Sequence, residues 1–262
     1  NQELVKPQSA ERDAQVQNLI ATAINIGKRS TDLSPLNVDN WAQRASIYRA
    51  VVGYISGADQ WAFDAYQEAS ALEPQNPFYS LELGRTYVLA ADLLFSAAQS
   101  NKEQAAKMNE YLVKAEEALV KAVAAKPDYA PALFQLALVY DRQGKVEEAI
   151  SKMVDTRNMY TQDVGVAFQL GLLYYKTSKW DLAQAELERA VLLDQNYSNA
   201  RYFLGLVYDK LGNGEAAVQQ FEKIAELNPG NQDVEGILQN LRSGKPAVSP
   251  VPEKPSDLPI EQ

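Results

Sequence analysis

Leu170-Gly171-Leu172-Leu173-Tyr174 returns 34 residues later as Leu204-Gly205-Leu206-Val207-Tyr208, and 34 residues earlier the same places read Leu136-Ala137-Leu138-Val139-Tyr140. Nine residues after each tyrosine stands an alanine (Ala149, Ala183, Ala217), and thirteen after it a bulky apolar residue (Met153, Leu187, Phe221). Pro127 and Pro229 close blocks of the same phase. Such self-similarity is the signature of a stacked array. Within each block, apolar residues recur at the three- and four-residue spacing of an amphipathic helix, twice over. The small residue in each helix lets the two approach closely. Gly144 and Gly212 fall where a first helix must end in a left-handed residue, and Ser178 holds the equivalent place. One helical hairpin cannot bury its apolar face alone, so the blocks must stack on one another.

Upstream the phase persists, with an insertion. Leu83-Gly84 and Tyr87 open a further first helix, and Ala115, Leu119 and Ala122 belong to its second helix. From Tyr87 to Ala115 is 28 residues where nine are expected, so 28 − 9 = 19 residues are inserted. The inserted run is rich in Ala, Leu and Gln, which predicts lengthened helices projecting as a hairpin around Ala97 to Lys107, with Leu93, Leu94 and Phe95 as its apolar surface. Trp41 to Val52 and the stretch around Trp61, Tyr66 and Ala69 give one more pair. Residues 10–28 form an amphipathic helix with Val16, Leu19, Ile20, Ala23 and Ile24 on one face, and Asp233 to Arg242 a terminal one.

This register resembles the tetratricopeptide (TPR) repeat. The resemblance implies an all-α, right-handed TPR superhelical solenoid of about five helix-hairpin repeats, with extra helices at both ends and a Pro-rich tail. The expected segments are an N-terminal segment 1–37, repeats at about 38–74, 77–127, 130–161, 164–195 and 198–229, a capping helix 230–244 and the tail 245–262. The stretches Ser34-Pro35-Leu36-Asn37-Val38-Asp39-Asn40-Trp41, Gly57-Ala58-Asp59-Gln60-Trp61-Ala62, Phe168 to Tyr175 and Tyr197 to Gly205 are further similar to the C-terminal TPR region of O-antigen-ligase-type membrane proteins of uncultured bacteria. That resemblance implies an extracellular or cell-surface location. The ligase's membrane portion is not in this sequence, so its glycan chemistry does not carry over.

Composition narrows the function. The 262 residues hold 25 Lys+Arg against 34 Asp+Glu, a balance of −9, with neither His nor Cys. No Ser-His-Asp or Cys-His nucleophile and no zinc site of the His/Cys kinds can be built. The acidic balance without a basic block argues against nucleic acid. Lack of cysteine fits a reducing cytoplasm, and equally an exported protein held by its core. No stretch approaches the roughly 18–20 apolar residues that cross a bilayer; the window Val88 to Ala98 is broken by Asp92. A signal or membrane segment upstream of Asn1 is compatible with this. Adjacent carboxylates such as Glu116/Glu117 and Glu147/Glu148 point in different directions on a helix. The expectation is no catalytic residue, no cofactor and no metal.

Candidate binding residues come from the TPR frame, in which certain places of each first helix line a groove, the second, fifth, ninth, twelfth and thirteenth among them. The fifth reads Phe134, Phe168, Tyr202, the ninth Leu138, Leu172, Leu206, and the thirteenth Arg142, Lys176, Lys210. Aromatic and Leu rows edged by cations suit an apolar segment with acidic character; the same rows could instead pack between neighbouring first helices. They depart from the Lys and Asn pattern of carboxylate clamps.

Both terminal helices offer apolar faces, and the Pro-rich tail adds Val248, Val251, Leu258 and Ile260 as anchors. Head-to-tail contact between unlike ends is heterologous and yields filaments when it does not close. The expected function is a non-catalytic interaction scaffold whose partner is protein, first of all copies of itself, assembled end to end into a cell-surface or extracellular filament. The alternatives are a monomeric adaptor for an apolar and acidic peptide, or an accessory domain of surface-glycan assembly. Asn196-Tyr197-Ser198 fits a glycan-attachment sequence, and Pro252-x-x-Pro255 a polyproline recognition pattern, both common by chance.

Overall fold

The computed structural model describes residues 10–248. Val251, Leu258, Ile260 and Pro252-x-x-Pro255 lie outside the described residues. Twelve helices and no strand are found among those described: α1 (Ala10–Leu33), α2 (Val38–Arg49), α3 (Ala58–Leu72), α4 (Pro77–Ala98), α5 (Lys102–Ala125), α6 (Ala130–Arg142), α7 (Val146–Met159), α8 (Val164–Lys176), α9 (Trp180–Leu193), α10 (Ser198–Lys210), α11 (Gly214–Leu227) and α12 (Gln232–Arg242). Helix starts reflect local chemistry. The side chains of Asn37, Asn76, Asn101, Asp163, Asn213 and Asn231 accept from backbone N–H groups of the first turn that have no partner inside their helix. The Asn37 cap starts α2 three residues before the expected Trp41, and the helix ends at Arg49 where Val52 was expected. Residues 50–57 then form a turn holding Gly53 (φ 87°) and Gly57 (φ 81°). At the repeat turns, Gly144, Ser178 and Gly212 adopt left-handed backbones with φ of 76°, 55° and 78°.

Two compact units meet in sequence between Gly144 and Lys145. In the first, α1 lies on α2, α2 pairs with α3, α4 pairs with α5, and α6 packs on α4 and α5. Its core centres on Phe63, stacked on Tyr87 at a ring separation of 4.0 Å, with Tyr111 edge-on at 5.4 Å. In the second, α8 pairs with α9 and α10 with α11, while α7 covers α8 and α12 covers α11. Inside three hairpins a glycine sits under a large side chain. A Cβ added to Gly84, Gly171 or Gly205 would lie 2.6, 2.7 and 2.6 Å from Leu119, Leu187 and Phe221, respectively. That close approach is why the first helix carries Gly there.

The inserted residues are helical, as expected. α4 and α5 have 22 and 24 residues, against 13 and 14 in the regular pair α8 and α9. The excesses, 22 − 13 = 9 and 24 − 14 = 10, account for the whole insertion of 19. Nine or ten extra residues lengthen the hairpin by about 14 Å. Its root packs on the body, where Leu94 and Met108 join the core and Leu93 lies under Gly53. Leu93 and Phe95 nevertheless stay 52% exposed.

The terminal helices differ from one another. α1 runs five residues past the expected Lys28, to Leu33. It is fixed on α2 where Gly27 approaches Ile47 and where the Arg44 guanidinium donates to Thr31 Oγ1 at 2.8 Å. Ile20 packs against Val51 and Val52, but Leu19, Ile26 and Leu33, seven residues apart, form an exposed stripe. By contrast α12 buries Val234, Ile237 and Leu238 and turns Asp233, Glu235, Gln239 and Arg242 outward. It is a polar cap of the kind an array end requires.

Each unit also holds one buried carboxylate between two arginines. Glu82 accepts from Arg49 and from Arg85 at 2.8 Å, and Glu186 from Arg157 at 2.6 Å and Arg189 at 3.0 Å. Charges leave water only when their lone pairs are met in this way.

Candidate functional site

The nine groove residues sort by environment. In the first unit, Phe134 and Leu138 are half-buried on α6 and Arg142 is exposed. The Arg142 guanidinium is already engaged, donating from Nε and Nη2 to the two carboxylate oxygens of Asp92 on α4 at 3.0 and 3.1 Å. Fifty positions separate these two residues in sequence, so the pairing gives no local signal.

In the second unit, Phe168 is 4% exposed, its ring 4.9 Å from Tyr197 and 6.1 Å from Phe203. Leu206 is 8% exposed within the terminal apolar cluster. These two lie on the packing side of the alternatives that the residue pattern left open. Leu172 and Tyr202 remain half-buried, and Lys176 and Lys210 are exposed. Tyr202 meets Phe221 nearly edge-on at 5.6 Å, and burial raises the pKa of its phenol, Asp233 adding to the effect.

Residues not singled out from sequence complete this face. Tyr175 and Asp209 take the twelfth place of their repeats. The Tyr175 ring stands against Phe203 at 5.5 Å and Trp180 at 5.4 Å, so α8 and α10 share one aromatic row. Asp209 accepts the backbone N–H of Ala247 at 3.1 Å. The 34-residue spacing carries the signal for both, at the twelfth place beside the fifth, ninth and thirteenth. Val248, the one tail anchor among the described residues, is exposed, and its neighbour Ala247 is the residue that lies buried. Asn196 is exposed ahead of α10, with its N–H donated to Asp194.

Two open cavities mark other surfaces. One, of about 380 Å³, lies in the first unit between the 50–57 turn and the hairpin root, lined by Tyr54, Ile55, Leu93, Leu94, Lys107 and Tyr111. The Tyr111 hydroxyl donates to Asp59 at 2.9 Å; burial first, then this bond, raises its pKa. Another, of about 310 Å³, lies beside Leu192, Arg201 and Tyr208 in the second unit. There the Tyr208 hydroxyl donates to Glu188 at 2.7 Å, and burial with that bond raises its pKa to about 12. Both carboxylates are thus committed to phenols. Among the described residues no group of three or more Asp or Glu could hold a metal ion. No described helix is long and apolar enough to cross a membrane. What the surfaces offer is apolar and aromatic contact beside fixed charges.

Comparison with known proteins identifies the repeats. The tetratricopeptide repeat family matches residues 114–154 and 168–232. A TPR repeat-containing protein of Methanocaldococcus jannaschii is 24% identical over 228 residues, 82% of this chain and 37% of that protein. RANBP2-like and GRIP domain-containing protein 8 of Homo sapiens is 33% identical over 67 residues, 26% of this chain and 4% of that protein. The chain therefore spans well under half the length of either relative. Among solved structures, YrrB, described as a TPR protein with an unusual peptide-binding site, aligns with a TM-score of 0.58 at 16% identity. The alignment covers 80% of this chain and 96% of YrrB. Pseudomonas aeruginosa pilF gives 0.58 at 14% identity over 88% and 92% of the two chains. The described residues have the all-helical fold of TPR solenoids, and residues 114–154 and 168–232 match the TPR repeat itself.

Proposed function

We propose that this TPR chain is a non-catalytic scaffold that binds an extended protein segment of apolar and acidic character on the first-helix face of α8 and α10. The observation that carries this reading is the composition of that face. Leu172, Tyr175, Tyr202 and Phe203 remain part-exposed in one row, with Lys176 and Lys210 at its edge. Aromatic anchors with a charged rim are what a segment-binding surface needs. A displayed peptide library selected on the immobilised chain tests it. Enriched peptides should combine apolar side chains with Asp or Glu, and should lose binding to the Lys176→Glu/Lys210→Glu variant. No enrichment, or enrichment indifferent to charge reversal, overturns the reading.

A second reading, self-association, is favoured by the Leu19, Ile26 and Leu33 stripe on α1. Like contacts at that end would pair two copies into a closed dimer, while the polar face of α12 speaks against the head-to-tail filament expected from sequence. Sedimentation velocity of the chain beside its Leu19→Ser/Ile26→Ser/Leu33→Ser variant decides this: equal mass distributions remove it. The extracellular or cell-surface location, with the accessory role in glycan assembly, rests on the ligase-type resemblance alone. Fractionation of the native host tests the location.

A further inference from the structure

Ala247 is 1% exposed, lodged against α10 three residues beyond the left-handed Gly244. Three hydrogen bonds hold the chain there. Ala247 N–H donates to Asp209 at 3.1 Å, Asn240 Nδ2 donates to the Ala247 carbonyl at 3.4 Å, and Lys245 N–H donates to the Asn240 carbonyl at 2.9 Å. Asp209 stands at the twelfth place of its repeat, and Leu206, at the ninth, shares an apolar cluster with Ala247. Tyr175 and Phe203, of the aromatic row, pack against the same cluster. The chain leaving α12 is therefore gripped, through its own backbone, by the face proposed to seat a partner.

The residues beyond Val248 suit that face. They number 262 − 248 = 14, and read Ser249-Pro250-Val251-Pro252-Glu253-Lys254-Pro255-Ser256-Asp257-Leu258-Pro259-Ile260-Glu261-Gln262. One lysine against Glu253, Asp257 and Glu261 makes 1 − 3 = −2, opposite in sign to Lys176 and Lys210. Val251, Leu258 and Ile260 supply apolar side chains, and the prolines limit the chain freedom that docking would remove. An extended proline-rich chain advances about 3.1 Å per residue, and packed helices stand about 8–10 Å apart. About three residues of such a chain would span the distance from α10 to α8.

We propose that residues 249–262 lie along the α10 and α8 face, over Leu172, Tyr175 and Lys176, as a built-in occupant that a partner segment must displace. This deepens the scaffold reading and rests on it for the partner, but has its own readout.

Because the chain has no cysteine, Ser256→Cys in the full-length protein takes a single nitroxide label. Paramagnetic broadening of the Leu172, Tyr175 and Lys176 amides, independent of protein concentration, is the expected result. Sharp amides on α8 and α10 overturn the proposal. So does broadening that arises only when a labelled copy is mixed with an isotope-enriched, unlabelled one, since the occupant is then another copy's tail. Val251→Ser/Leu258→Ser/Ile260→Ser in the labelled chain should abolish the broadening with an unchanged melting temperature. A synthetic peptide of residues 249–262 added to that variant should then shift the α8 and α10 amides; no shift overturns the proposal. A docked tail with no enriched library peptide sinks the scaffold reading alone, and peptide binding beside an undocked tail sinks this one alone.

Discussion

Gly205 lies under the ring of Phe221 so closely that a Cβ there would stand 2.6 Å from Cε2 and 3.0 Å from Cδ2 and Cζ. Phe221 is fully buried and has nowhere to retreat. Gly205→Ala should therefore destabilise despite the helix propensity of alanine. Overpacking costs about 1–3 kcal/mol, offset in part by the roughly 1 kcal/mol that alanine gains over glycine in a helix. Gly236→Ala in α12, where no atom lies within 4 Å of the new Cβ, should show the propensity gain alone. Denaturant midpoints of the two variants should move in opposite directions; a shared direction refutes the close-approach argument.

Glu186 offers a second test. Replacing it with Ala strands the guanidiniums of Arg157 and Arg189, of which Arg189 also donates to the Thr161 carbonyl at 3.0 Å. Removing one partner of a fully buried pair costs about 3–5 kcal/mol. The side chains of Arg157 and Arg189 are 34% and 24% exposed, so the expected loss is smaller, about 1–3 kcal/mol. Urea unfolding of Glu186→Ala and of Glu186→Ala/Arg157→Met measures it, the double variant recovering part of the loss. If the single variant unfolds with the unaltered chain, the clamp contributes nothing.

Alkali should weaken the fold through two tyrosines. Tyr208 has its pKa raised from the ordinary 10.0 to about 12, by burial and then by its bond to Glu188, and that of Tyr111 is raised by burial and its bond to Asp59. A folded-state pKa above the unfolded one means stability that is fully present below pH 10 and lost as pH rises through the folded value. For Tyr208 the window runs from about pH 10 to 12. Melting temperatures should fall across it, and less steeply in Tyr208→Phe. A phenolate absorbance titration in which every tyrosine ionises near 10 contradicts this.

Leu93 and Phe95 should matter little to folding. Both are about half exposed on the lengthened hairpin, and surface changes usually stay within about 0.5 kcal/mol. For a chain of this size that is a melting shift below about 2 °C. Leu93→Ser/Phe95→Ser exceeding that by calorimetry would reveal that the extension is part of the core.

The repeat array was legible because its determinants are local and periodic. A glycine facing a large residue on the next helix, as in Gly171 and Leu187, recurs at fixed offsets, and steric fit tolerates few substitutes. The lengths of α4 and α5 were legible for the same reason, since Tyr87 and Ala115 keep their roles on either side of the insertion. The candidate surface was less so. Periodicity puts Phe134, Phe168 and Tyr202 in equivalent places, but burial depends on what lies across each one. Tyr197 and Phe203 enclose Phe168, and Ala247, far along the chain, belongs to the cluster around Leu206. Nor could spacing reveal that Arg142 meets Asp92, or that α1 leaves Leu19, Ile26 and Leu33 uncovered, because each outcome is fixed by distant partners.

The near-equal division of the insertion between α4 and α5 has a practical reach. Growth on both sides of the Gln99–Asn101 turn leaves Gly84 against Leu119, so the hairpin could be lengthened without disturbing the joint below it. That turn is consequently a port for foreign sequence. An epitope or a fluorescent domain spliced between Ser100 and Asn101 would ride on a helical mast, while the helices at its foot kept their fit.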